Sequence, residues 1–350
     1  MPTTYAIPDG RVAMAATLYT GTLLSNPVSN AVNGVSFQPD WVWLKSRSAA
    51  TSHKLTDSVR GVTKGLVSNS TDAETTDVQG LTAFSSGGFT VGTNTDYNNL
   101  AATYVAWQWK AGGTAVSNTA GSITSSVSAN TTAGFSVVTY TGTGANATVG
   151  HGLGVAPKMI ILWPRNNAGY VQPVWHTSLG GSTDSDYLAI SSTGARNYAG
   201  PLTGLWNNTA PTSSVFSIGT SVYSNTSAIN YVAYCFAPVA GYSAFGSYTG
   251  NGSADGPFVY LGFRPRWLMI KASSFAGESW YLFDTTRNTF NVIGEALVAN
   301  QSSAEFSFVM LDVLSNGFKA RTTNSLCNTS GATYIYMAFA ENPFKYANAR

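Results

Sequence analysis

Few side chains in this sequence could do chemistry, and two small sets of them recur. Asp57 stands three residues before Arg60, and Asp284 three before Arg287. At that spacing in a turn, a carboxylate and a guanidinium form an ion pair, an arrangement that is far more often structural than catalytic. Glycan cleavage needs two carboxylates flanking a sugar bond. The acidic groupings that could supply them are Asp184 with Asp186, and Asp72 with Glu74 and Asp77. Both lie in Ser/Thr-rich loops, where carboxylates solvate the chain. Neither has the bidentate Glu and turn Gly of an EF-hand, so calcium binding there stays an open alternative. The histidines His53, His151 and His176 share no metal spacing, and no serine sits in a Gly-x-Ser-x-Gly elbow. Gly142-Thr143-Gly144 and Gly152-Leu153-Gly154 read as β-turns rather than phosphate cradles. The expectation is a protein that is not an enzyme and needs no metal or cofactor.

Composition narrows the partners. Of 350 residues, 10% are charged and 44% hydrophobic, and the formal net charge is +2. No charge field exists to steer nucleic acid or an anionic membrane. With 17 Phe, 18 Tyr and 9 Trp the chain has ample drive to fold. Cys235 and Cys327 read as buried small apolar residues rather than a disulfide. The start lacks the pattern of a signal peptide, and the longest apolar run, Met159 to Trp163, is too short to span a bilayer. Asn-x-Ser/Thr triplets at Asn69, Asn225 and Asn328 are expected to be unmodified.

The elements that must position these residues are written three times. Tyr104-Val105-Ala106-Trp107-Gln108-Trp109 recurs as Tyr231-Val232-Ala233-Tyr234-Cys235-Phe236 and as Tyr334-Ile335-Tyr336-Met337-Ala338-Phe339. Period-two alternation makes each a strand, and neither side is polar, which suits a central strand covered on both faces. Each copy opens with Tyr-Thr-Gly (Tyr19, Tyr140, Tyr248). Each continues with a proline and an apolar strand: Pro39 before Trp41–Leu44, Pro157 before Met159–Trp163, Pro265 before Trp267–Ile270. These strands exit into Lys45-Ser46-Arg47, Pro164-Arg165-Asn166 and Lys271-Ala272-Ser273. The Asp57 and Asp284 segments are then equivalent to each other and to Val174–Leu179, which places His176 and Leu179 where the other copies have Asp and Arg.

A repeat of about a hundred residues is too long for a solenoid, so each copy is expected to be its own domain. Short strands, frequent turn residues and no 3.6-residue periodicity predict an all-β chain of three tandem antiparallel β-sandwiches, jelly-roll-like. The expected layout is an N-terminal arm at 1–11, then repeats at 12–112, 121–240 and 241–350. A flexible Gly/Ser/Thr linker at 113–120 joins the first two; the second and third are joined only by Pro238–Gly241.

Val35–Lys45, Ser68–Thr75, Ser128–Gly142 and Asn316–Lys319 together resemble a repeat family of tailed-bacteriophage virion proteins, many from phages of aquatic bacteria. The resemblance covers nearly the whole chain. It implies a structural protein of the phage particle, made in the host cytoplasm and placed in the tail more than the head, in a tail fibre or host-recognition apparatus. A capsid decoration, cement or head-fibre protein is the alternative, and a polysaccharide-cleaving tail enzyme the second. The implied partners are other virion proteins and a host surface glycan, with a homotrimer by analogy to phage fibres and no nucleic acid or membrane insertion. For sugar binding, Trp206 beside Asn207 and Asn208, with Tyr198 nearby, is the candidate loop, because aromatic faces pack on sugar rings; the competing reading has Trp206 plugging its own sandwich. For docking onto the particle, the candidates are Tyr5, Ile7 and Arg11 of the N-terminal arm.

Overall fold

The computed structural model describes residues 4–179, 186–197 and 204–343. Its frame is three sets of four strands. The first repeat supplies β1 (Met14–Thr20), β2 (Trp41–Ser46), β3 (Lys54–Asp57) and β4 (Thr103–Trp109). The second supplies β5 (Phe135–Thr141), β6 (Met159–Pro164), β7 (Pro173–His176) and β8 (Asn230–Phe236). The third supplies β9 (Ser243–Thr249), β10 (Phe263–Ala272), β11 (Trp280–Asp284) and β12 (Thr333–Pro343). Each set pairs antiparallel in one order, β1-β4-β2-β3, β5-β8-β6-β7 and β9-β12-β10-β11, with the repeated strand second. The registers agree: Trp41, Met159 and Trp267 lie opposite Trp109, Phe236 and Phe339 on one side, and opposite Asp57, His176 and Asp284 on the other. The protein is all-β; the helices Thr95–Asn98 and Val222–Asn225 are single turns.

In the first two repeats the two apolar faces of the repeated strand serve different cores; in the third they serve one. Val105, Trp107 and Trp109, then Val232, Tyr234 and Phe236, then Ile335, Met337 and Phe339 all enter one core built by all three repeats. Trp41 stacks on Tyr234 of the next repeat at 4.3 Å, and Phe339 packs against both Trp109 and Phe236. On the opposite face, Tyr104 and Ala106 lie beneath the outer strands Asn26–Ser29, Gly88–Val91 and Leu81–Ser85, while Tyr231 and Ala233 face the second repeat's own core. In the third repeat, strand pairing runs on from β11 through Ile293–Val298, Phe306–Leu314 and Gly317–Ala320 to Phe258–Tyr260. Its eight strands make one continuous sheet, whose core is continuous with the shared one. The expectation of self-contained domains therefore fails at the centre. A strand apolar on both sides can bury one side only if a neighbouring repeat covers it.

A second device recurs at the rim. Asn98, Asn225 and Asn328, each six residues before the repeated tyrosine, are buried and tie three loop segments together. Asn225 Nδ2 donates to the carbonyls of Ala145 and Gly219, and its Oδ1 accepts from Thr143 N. Tyr19, Tyr140 and Tyr248 stack on Tyr104, Tyr231 and Tyr334 at 5.0–5.2 Å. Backbone carbonyls pass so close to Gly21, Gly142 and Gly250 that a Cβ would collide with Asn99, Thr226 and Thr329, which explains the Tyr-Thr-Gly turn. The engaged amides of Asn225 and Asn328 leave no room for a glycan in the folded chain. Cys235 and Cys327 are free and buried.

Three local expectations change. In the stretch expected to be a flexible linker, Val116–Asn118 forms a strand against Ser125–Asn130. Just before it, Asp40 Oδ2 accepts from Ala111 N at 2.8 Å and Gly113 N at 3.3 Å. The N-terminal arm is a strap rather than a free end. Ile7 sits in the shared core, Gly10–Val12 makes a 3-10 turn capped by Asp9, and Gly10 lies against Ala340 of β12. Pro265 falls within β10, at a register shift that excuses its missing donor.

Candidate functional site: the seams between repeats

The residues with chemical potential gather where one repeat meets the next. Tyr234 Oη donates to Asp57 Oδ2 at 2.8 Å and accepts from Arg60 Nη2 at 3.2 Å, joining the first repeat to the second. The Trp107 indole donates to Asp284 Oδ2 at 2.9 Å, joining the third to the first. Met337 holds the position of Trp107 and Tyr234 and has no donor to offer. There the Asp is replaced by His176, whose Nδ1 accepts from Ser178 N, so that its Nε2 donates to the Tyr336 carbonyl at 3.2 Å. The substitution of His for Asp in the second copy thus matches the loss of a donor in the third.

A second ring donates in the same sense as the Tyr234 and Trp107 bonds, each repeat to the one before it. Three unlike residues at one register position each donate to a backbone carbonyl at 2.9 Å: His53 Nε2 to Val298, Gln172 Nε2 to Ser70 and Trp280 Nε1 to Ala189. The Trp43 indole donates to His53 Nδ1, which fixes that tautomer. A third ring is backbone to backbone: Glu74 N to Arg165 O, Arg196 N to Ser273 O and Glu305 N to Arg47 O. Each repeat contacts the next through unlike surfaces and the cycle closes at three, as in a heterologous ring of subunits.

Two of the three seams are locked by charge. Arg60 is held by Asp57 at 2.5 Å and Glu74 at 2.9 Å, and Glu74 reaches Arg165 Nε and Nη2 at 2.9 Å each. Arg287 is held by Asp284 at 2.5 Å and Glu305 at 2.8 Å, and Glu305 reaches Arg47 Nη2 at 2.6 Å and Nε at 3.0 Å. Burial pushes the Asp284 carboxyl up, but Arg287 and the Trp107 indole outweigh it and hold it below its ordinary range. Glu74 is held low in the same way, burial being opposed by Arg165 and Arg60. Burial drives the imidazoles down, His53 to about 3 and His176 to about 4, so both are neutral at pH 7.

The third seam keeps the backbone bond and changes the side chains. Leu179 stands for the two buried arginines, Arg196 for the two glutamates and Ser273 for Arg165 and Arg47. A pocket of about 280 Å³ opens here, lined by Ser178, Leu179, Ala195, Arg196, Ser273, Ser274 and Thr333. Arg196 Nη1 donates to the Leu179 carbonyl at 2.7 Å and lies 3.5 Å from Asp186, itself bound by Asn197.

The candidate loop of the sequence is not assembled as a sugar platform. Trp206 is 1% exposed within the second repeat's core, so it has no face to offer a ligand. Asn207 and Asn208 both take left-handed backbone, with φ of 49° and 51°, a tight turn that follows the buried indole. Tyr198 and Asp184 lie outside the described residues. Ile7 is core and Arg11 pairs with Asp9 at 2.8 Å, leaving Tyr5 half-buried. Among the described residues, no group of three His, Cys, Asp or Glu side chains could hold a metal. The pairing of repeated glutamates with repeated basic strand exits went unread in the sequence, although both stand in two of the three copies.

The fold and seams define an all-β protein of three repeats closed into one ring. The chain belongs to the family described as domain of unknown function DUF7483, whose model matches residues 12–343. No curated protein and no solved structure matches it.

Proposed function

We propose that this chain is a structural protein of a phage particle, acting by binding in the tail-fibre or host-recognition apparatus. The virion assignment comes from the sequence resemblance. The observation that carries the binding mode is the ring itself: Asp57, Arg60, Glu74, Asp284, Arg287 and Glu305 are engaged with one another and with neighbouring repeats. Groups held in buried pairs of this kind position a scaffold and are unavailable for proton transfer. The ring also supplies within one chain the threefold arrangement that fibre proteins reach by trimerising. Contact with the rest of the particle falls to the third repeat, where Phe290, Phe308 and Val309 are 72%, 53% and 61% exposed on or beside paired strands. Apolar surface of this kind marks protein contacts.

The test is adsorption. Purified chain should bind host cells and compete with phage for them, and light scattering gives the mass of the binding species. A chain that ignores cells and binds emptied capsids would instead make this a decoration protein.

A further inference from the structure

The charged seams show which edge of a guanidinium this fold offers to a carboxylate. Arg165 and Arg47 each bind a glutamate through Nε and Nη2 together, the bidentate geometry that suits a planar anion. In the third seam Arg196 uses only Nη1, on the Leu179 carbonyl and Asp186; among the described residues nothing engages its Nε–Nη2 edge. Its side chain is 45% exposed and lines the pocket. Around it stand the hydroxyls of Ser178, Ser273, Ser274 and Thr333. Ser274 Oγ accepts from Thr333 N, which leaves its own proton to donate.

We infer that the seam between the second and third repeats is a binding site for a carboxylate-bearing sugar residue, with Arg196 taking the carboxylate and the Ser/Thr hydroxyls taking ring hydroxyls. Two features favour a sugar over an acidic peptide. The lining carries hydroxyl groups around a single cation, and at about 280 Å³ the pocket holds one small polar ring, below the roughly 300–1,000 Å³ typical of larger ligands. The comparison between seams supplies the rest: with Arg196 in place of Glu and Ser273 in place of Arg, the seam loses the glutamate that fills the Nε–Nη2 edge elsewhere, and it opens. This deepens the host-recognition reading and rests on it for the source of the sugar.

The experiment is titration of the full chain with D-glucuronate and D-galacturonate, followed by calorimetry and by amide chemical shifts, with D-glucose and acetate as controls. Saturable binding of at least one acidic sugar is expected, with no saturation by glucose. Arg196→Gln should weaken it at least tenfold. The double variant R196E/S273R, which rebuilds the glutamate–arginine pair of the other seams, should abolish it while the fold is retained. No saturable binding by either acidic sugar, or equal affinity in Arg196→Gln, overturns the site; acetate binding as tightly as glucuronate overturns its assignment to a sugar. Adsorption to cells separates the two readings. Arg196→Gln that loses glucuronate yet still adsorbs would show that the sugar is not the receptor and overturn its host-surface source. Wild type that binds glucuronate but never adsorbs removes the recognition reading and leaves the pocket standing.

Discussion

The seams on either side of the first repeat and the seam between the second and third share one backbone and differ in almost every side chain. The first two bury arginine, aspartate and glutamate beside a Trp107 or Tyr234 donor; the third buries His176, Leu179 and Met337 and opens a pocket. The repeats of the third seam are joined by Pro238–Gly241, so chain connectivity already limits how they can dock. The first and third repeats have no such tether, and there a buried charge pair selects one register, since a misplaced partner leaves a charge unpaired. Backbone geometry and side-chain chemistry are thus separable in this fold: the ring needs three seams of one shape, not of one composition.

The strongest way to break the contrast is to remove one buried carboxylate. Asp284→Ala leaves the buried Arg287 with Glu305 as its remaining counter-charge and strands its Nε and the Trp107 indole, and a loss of about 3 kcal/mol is expected by urea denaturation. His176→Asn, at the equivalent position in the third seam, should cost only about 1 kcal/mol, one neutral hydrogen bond. Equal losses would show that the charges add no more than the imidazole does. Next, Trp107→Phe keeps an aromatic ring in the core but deletes the donor to Asp284 and leaves a small cavity; the lost hydrogen bond to a charged group alone should register as about 1.5–3 kcal/mol in the same assay.

Acid should reach the histidines before the carboxylates. His176 is depressed to about 4 and His53 to about 3, so both contribute fully above about 6.5 and that contribution falls as pH drops from there. Asp284 and Glu74 also sit below their ordinary values, so their contribution is lost only at lower pH, beneath about 4. Stability measured from pH 7 to 4 should decline, each histidine adding up to about 1.4 kcal/mol per pH unit. His176→Asn should flatten the slope by its share; an unchanged slope would show that His176 is not the titrating group. The smallest effect is expected at Arg196→Gln, within about 0.5 kcal/mol, because its side chain is nearly half exposed and its seam bond is made by the backbone. A larger loss would move Arg196 from the pocket into the ring's structure.

The inner sheet was legible in the sequence because its signal is local. Val105, Trp107 and Trp109 alternate with Tyr104 and Ala106, and such alternation states both the strand and the need for cover on two sides. What supplies that cover is not local. The Tyr234–Asp57 and Trp107–Asp284 bonds each span 177 residues, and no spacing rule reaches that far. At Trp206 the sequence left two readings open for a related reason, and the one with the tryptophan plugging its own repeat is the one seen. Trp beside two Asn looks like a displayed loop, and only the left-handed turn at Asn207 and Asn208 shows the tryptophan turned inward.

A ring made from three identical chains repeats every mutation three times, so a change that improves one junction must be tolerated at the other two. Here each junction has its own codons. Arg196 and Ser273 could drift to new identities while Glu74–Arg165 and Glu305–Arg47 went on holding the ring. Three junctions encoded separately can therefore divide the labour, two closed by buried charge and one by neutral contacts around a pocket.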